Sequence, residues 1–126
     1  MQNSYFFLII LMNALVKPLT GLLGLVLTLL GIAGFFSDGM LLMFEANTTQ
    51  SIVHLATGLI GLFAFNSSQL YSRWFLILFG LLYGIMAVLG FATGAVLDFF
   101  TVNMANNYLH LGISVACLFV GLGSRK

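Results

Sequence analysis

Charge is what this sequence has least of. Among its 126 residues, four are Lys or Arg and three are Asp or Glu, 6% in all, against roughly a quarter in a water-soluble domain. So few charges cannot coat a globule, and most of the surface must therefore face hydrocarbon. A formal net charge of +1 excludes electrostatic capture of nucleic acid, which needs a basic face. The single cysteine, Cys117, excludes an intrachain disulfide and sits in an apolar run, where it reads as a small packing residue. Catalytic signatures are also missing: there is no Walker-type loop, no Cys-x-x-Cys, no His-Glu-x-x-His and no Gly-x-Ser-x-Gly. An enzyme is not expected. No Lys or Arg precedes the first apolar stretch, Tyr5–Val16, and no small-residue cleavage pattern follows it, so the start does not read as a secretion signal.

What is present is apolar. Hydrophobic residues make up 61% of the chain and mean hydropathy is +1.14. A bilayer core takes about 20 apolar residues as helix, and four segments fit: Pro18–Phe36, Thr49–Phe65, Tyr71–Thr93 and Asn106–Leu122. Pro18 suits a first helical turn, Thr48 or Thr49 and Asn106 are the expected N-caps, and Asn66-Ser67-Ser68 makes a tight polar turn. With four spans, Lys17, Arg73, Arg125 and Lys126 fall on one side, and Asp38, Glu45 and Asp98 on the other. Basic residues mark the cytoplasmic side, so both termini are expected there, in a bacterial inner membrane or an equivalent internal membrane. Tyr71 and Trp74 on the inner side and Tyr108 on the outer take interfacial positions. Tyr5–Val16 gives only about 18 Å of helix. The expectation is an interfacial helix that bends at Pro18, with a fifth span as the alternative. Asn47-Thr48-Thr49 and Asn66-Ser67-Ser68 match the glycan acceptor pattern but fall on opposite faces, so they read as chance matches.

Sliding the chain by 56 positions lays Gly24–Phe63 over Gly80–Phe119 without a gap, with 11 identities in 40 positions, where a chain this rich in Leu and Gly gives about three by chance. Asn47 meets Asn103 and His54 meets His110. The expected fold is all-α, a polytopic membrane four-helix bundle. It forms one domain over 1–126: an N-terminal interfacial segment (1–17), then two parallel helix-pair repeats (18–66 and 71–123) with a pseudo-two-fold axis along the membrane normal. Gly24, Gly34, Gly80, Gly84, Gly90 and Gly112 are the expected helix-packing positions, because small residues let backbones approach closely in lipid.

His54 and His110 are the only histidines. Each lies about one turn inside a helix, below amide-rich loops holding Asn47, Gln50, Asn103, Asn106 and Asn107. Ionisable groups within membrane helices are costly and point to function. Two readings follow. Each imidazole hydrogen-bonds the Asn of its own repeat and anchors a loop; or the pair forms a polar site for a small or proton-linked ligand, a metal or a haem iron. No cofactor is the first expectation. Tyr83, deep in the third span, is expected to donate to a neighbouring helix. Glu45 and Asp98 are not repeat mates and read as solvated loop charges.

The repeated pattern Gly-Phe, Phe-x-x-Asn and Asn-x6-His-Leu is carried by Gly34-Phe35, Asn47 and His54-Leu55, and again by Gly90-Phe91, Asn103, Asn107 and His110-Leu111-Gly112. It resembles the bacterial membrane family catalogued as domain of unknown function 4383, over roughly Leu19 to Gly123. Ser114 departs from Gly58 of the first copy, and Tyr5–Val16 looks like an addition. The resemblance implies the same four-span fold and no reaction. The expected partners are the lipid bilayer and either a second copy or a larger membrane complex, with the chain as a structural or accessory subunit. A small channel, carrier or cofactor-binding protein is the alternative.

Overall fold

The computed structural model describes residues 2–37 and 39–125; Asp38 and Lys126, two of the charges used to orient the chain, lie outside them. Backbone N–H and C=O groups in hydrocarbon have no water to bond, so the chain must close its hydrogen bonds within helices. It does so in four: α1 (Gln2–Phe35), α2 (Thr48–Ser67), α3 (Gln69–Thr93) and α4 (Met104–Gly123). All four are long and apolar enough to cross a membrane. The main pairings are α1 with α2 and α3 with α4, so each sequence repeat is one antiparallel helix pair.

The expected break at Pro18 is absent. α1 runs through it for 34 residues, about 51 Å at 1.5 Å per residue. Proline removes one backbone bond from the helix, but unpairing the apolar residues on either side would expose many more. Nor is Tyr5–Val16 a separate span or a detached interfacial segment. Met12 and Val16 are buried, Gln69 Nε2 donates to the Asn13 carbonyl at 2.8 Å, and the Arg125 backbone N–H donates to Asn13 Oδ1 at 2.6 Å. The N-terminal half of α1 is docked on the start of α3 and the end of α4.

The caps also differ from expectation. Asn47 caps α2 and its repeat mate Asn103 caps α4, each side chain accepting from the backbone N–H three residues on. Asn106 completes a capping box with Asn103. Asparagine leads threonine as an N-cap because its short amide oxygen reaches the free N–H groups without strain. Starting the helices at these positions sets both histidines nearly two turns deep, about 10 Å along the axis, rather than one.

Between the helices of each pair lies a small antiparallel hairpin. In the first, β1 (Met40–Leu41) pairs with β2 (Phe44–Glu45); in the second, β3 (Ala95–Val96) pairs with β4 (Phe100–Thr101). Each is closed by the same bond, from Ala46 N–H to the Gly39 carbonyl and from Val102 N–H to the Gly94 carbonyl. Gly39 and Gly94 have φ of 90° and 74°, and Leu42 and Leu97 are also left-handed. In space, therefore, Leu97 corresponds to Leu42, not to Leu41 as the gapless repeat has it. One residue is lost before the second hairpin and regained in its longer turn.

Glycine and hydroxyl residues set the helix spacing, and they exchange sides between repeats. In the first, Thr28 on α1 lies against Gly58 on α2 and donates to the Gly24 carbonyl at 2.6 Å. In the second, Ser114 on α4 lies against Gly84 on α3 and donates to the Gly80 carbonyl at 2.7 Å. Gly24 and Gly80 are repeat mates, so both copies satisfy the equivalent carbonyl from opposite helices. A Cβ on Gly24 would sit 2.7 Å from the Leu62 backbone nitrogen, and one on Gly80 3.0 Å from Cys117 Cβ. Gly34 meets Ser51 as Gly90 meets Asn107. Of the six glycines expected to pack, only Gly112 faces open space.

The two ends of the bundle differ in charge. Lys17 lies over the Phe65 ring near the end of α2. Arg73 at the start of α3 donates through Nε to the Gly121 carbonyl and to Ser124 Oγ at the end of α4, and Arg125 follows. Every described basic side chain is thus at one end. Glu45 and Asp98, the described carboxylates, are in the hairpins at the other.

Candidate polar site beneath the hairpins

Repeat mates face each other at two levels, as a two-fold axis down the bundle requires. At the hairpin end, Thr101 Oγ1 donates to its mate Glu45 through Oε1. Asn47 Nδ2 donates to the Thr101 carbonyl and Asn103 Nδ2 to the Met43 carbonyl, so each cap also reaches the other repeat's hairpin. Deeper in, the His54 and His110 rings lie edge to face with centroids 6.0 Å apart. Tyr83 joins them, 6.4 Å from His54 and 5.4 Å from His110. Tyr83 is fully buried, and its hydroxyl lies beside Thr57 of the neighbouring helix α2, though no contact there meets full hydrogen-bond geometry. The Thr57 hydroxyl donates to the Val53 carbonyl at 2.7 Å and keeps its lone pairs toward the phenol.

Neither histidine anchors a loop. His54 Nε2 and both ring nitrogens of His110 lack partners among the described residues; the asparagines hold the hairpins alone. Asn106 does most of this: Oδ1 accepts from the Glu45 backbone N–H at 3.1 Å and Nδ2 donates to the Glu45 carbonyl at 3.2 Å. Its repeat mate Gln50 has one more methylene and does not clamp the opposite hairpin. Gln50 is buried, with both amide atoms unpartnered. Asn107 Oδ1 is likewise unpartnered, while its Nδ2 faces Met104 Sδ at 3.7 Å.

Gln50, His54, Tyr83, Asn107 and His110 therefore leave seven buried polar atoms uncommitted. Two of the five, Gln50 and His54, line a cleft of about 10 Å³ under the first hairpin, together with Leu30, Phe44, Glu45 and Asn106. That is room for about one water. Toward the basic end Phe75, Leu76, Cys117 and Val120 are buried and close the bundle. Neutral imidazole, phenol and carboxamide each offer both a donor and an acceptor; Glu45 also lines the cleft, its carboxylate accepting from Thr101. The arrangement is chemically suited to a small uncharged molecule that both gives and takes hydrogen bonds.

It does not fit haem, because Tyr83 and the cleft walls leave no space for a macrocycle between the rings. It does not complete a four-coordinate metal site either: no third His, Cys, Asp or Glu joins the pair among the described residues. Sequence reasoning singled out both histidines, Asn47, Asn103 and Asn107. The structure brings His54 and His110 together with Tyr83, assigns Asn47 and Asn103 to capping, and sets Asn107 against Gly90 of α3. In the sequence Gln50 reads only as a loop amide, and nothing there connects Tyr83 to the histidines. The signal for Tyr83 was in the repeat, where its mate is the buried Leu27.

No curated protein and no solved structure matches this chain. The family described as Domain of unknown function (DUF4383) matches residues 17–123, which takes in α1 from Lys17 onward, the other three helices and both hairpins. On that match, and on the tandem helix pairs it covers, the chain belongs to the DUF4383 family.

Proposed function

We propose that this protein is a bilayer-embedded binding module for a small uncharged polar ligand, held by His54, His110, Tyr83 and Gln50. The supporting observation is the packing of His54, His110 and Tyr83 against one another, with Gln50 beside His54 on the cleft wall, which leaves six buried polar atoms without partners among the described residues. Each such atom costs about 1–3 kcal/mol if left unbonded, and the cost is higher where no water competes. Sites that carry this burden are associated with ligands and polar pathways. Positive charge at one end favours placing that end in the cytoplasm of a bacterial cell, so the cleft would be reached from outside. The apolar floor argues for binding rather than conduction, and no nucleophile is paired with a base among the described residues, which argues against catalysis.

The test is mass spectrometry of small molecules released by denaturing the purified protein, beside the His54→Leu/His110→Leu variant. A stoichiometric polar solute released only from the wild type is the expected result. A variant that unfolds, with nothing released from either protein, overturns the reading.

A second reading, an accessory subunit that packs against another copy, is favoured by one observation. Gly112 and Ala116 are exposed on α4 at the spacing of a small-residue helix contact, while the other expected glycines are spent inside the bundle. Gly112→Leu is then expected to shift a dimer to monomer in size-exclusion chromatography, and an unchanged elution would contradict it.

A further inference from the structure

At the basic end a groove of about 690 Å³ runs between the N-terminal half of α1 and the end of α4, within the roughly 300–1,000 Å³ of ligand sites. Tyr5 and Met12 form one wall and Val115, Phe119 and Leu122 the other, with Arg125 also lining it. Two features make this more than a lipid-facing crease. First, Arg125 is placed: its backbone N–H is fixed by Asn13 Oδ1 at 2.6 Å, while its guanidinium has no hydrogen-bond partner among the described residues. Arg73 is committed to Gly121 and Ser124, and Lys17 lies over Phe65. Second, no described carboxylate lies at this end. An uncommitted guanidinium at the polar boundary of an apolar groove matches a phosphate above an acyl chain.

We propose that this groove holds one phospholipid with an anionic headgroup, its chain along Val115 and Phe119 and its phosphate on Arg125. A second copy fits less well, because a symmetric partner in the same membrane would bring its own basic end to the same level. The site is independent of the polar cluster at the other end of the bundle.

The test uses the full chain in neutral detergent, with native mass spectrometry after addition of phosphatidylglycerol or phosphatidylcholine of identical chains. Preferential retention of one phosphatidylglycerol is expected. Arg125→Ala should weaken it about fivefold, to the level of phosphatidylcholine, the worth of one basic side chain near a membrane surface. Arg125→Lys should keep most of the preference. Val115→Trp, on an exposed position, should fill the groove and displace either lipid without changing helix content. Equal retention of the two lipids, an Arg125→Ala variant that keeps its preference, or unchanged binding in Val115→Trp would each overturn the proposal. So would a dimer that Val115→Trp dissociates.

Discussion

The two ends of this bundle treat buried polar groups in opposite ways. Toward the basic end the buried polar side chains among the described residues are bonded. Thr20 donates to the Val16 carbonyl at 2.8 Å, Ser72 to the Ala64 carbonyl at 3.0 Å, and Ser124 both donates to the Gly121 carbonyl and accepts from Arg73. Beneath the hairpins Gln50, His54, Tyr83, Asn107 and His110 are just as buried and leave seven atoms without partners among the described residues. Satisfied polar groups hold a fold together; unsatisfied ones weigh on it. On the function proposed above, the first end serves stability and the second contact with a ligand.

The sharpest way to break this contrast is at its boundary. Asn106 makes three side-chain bonds, one within its cap and two to the Glu45 backbone. Asn106→Ala should therefore destabilise by about 3 kcal/mol, at roughly 1 kcal/mol per bond lost, read by thermal unfolding in one detergent. The same change at its repeat mate, Gln50→Ala, should cost little. A smaller effect is expected at the basic end. Arg73→Met removes charge-assisted bonds to the end of α4 and should cost about 2 kcal/mol, with α4 fraying first in hydrogen exchange. Smaller again is Ser114→Ala, which gives up the bond to the Gly80 carbonyl and should cost about 0.6 kcal/mol, the average for interhelical bonds in membranes.

The four spans, the repeat and the segregation of charge could be read in the sequence because lipid imposes them: apolar length, glycine spacing and basic residues follow from the bilayer. Three features could not. Pro18 reads as a helix start by its lost N–H, yet hydrocarbon keeps α1 helical across it. The hairpins have two-residue strands and lack an Asn-Gly turn, so nothing in Met40–Glu45 distinguishes them from a loop. The site was only half legible. His54 and His110 stand out as paired histidines in apolar runs, but Tyr83 and Gln50 matter through differences from Leu27 and Asn106. A search for identities between repeats passes over such differences. Where the repeats agree they describe the fold, and the positions where they disagree surround the histidines.

The most direct test of this account is the thermal stability of the Gln50→Leu/Tyr83→Phe variant against wild type, in the same detergent and after exhaustive washing. Removing buried polar atoms that bond nothing in the protein should stabilise it, by about 1 kcal/mol or more, while the affinity for any released solute falls. A variant less stable than wild type would show that these side chains hold the fold together, and the cluster would then be a structural core rather than a site.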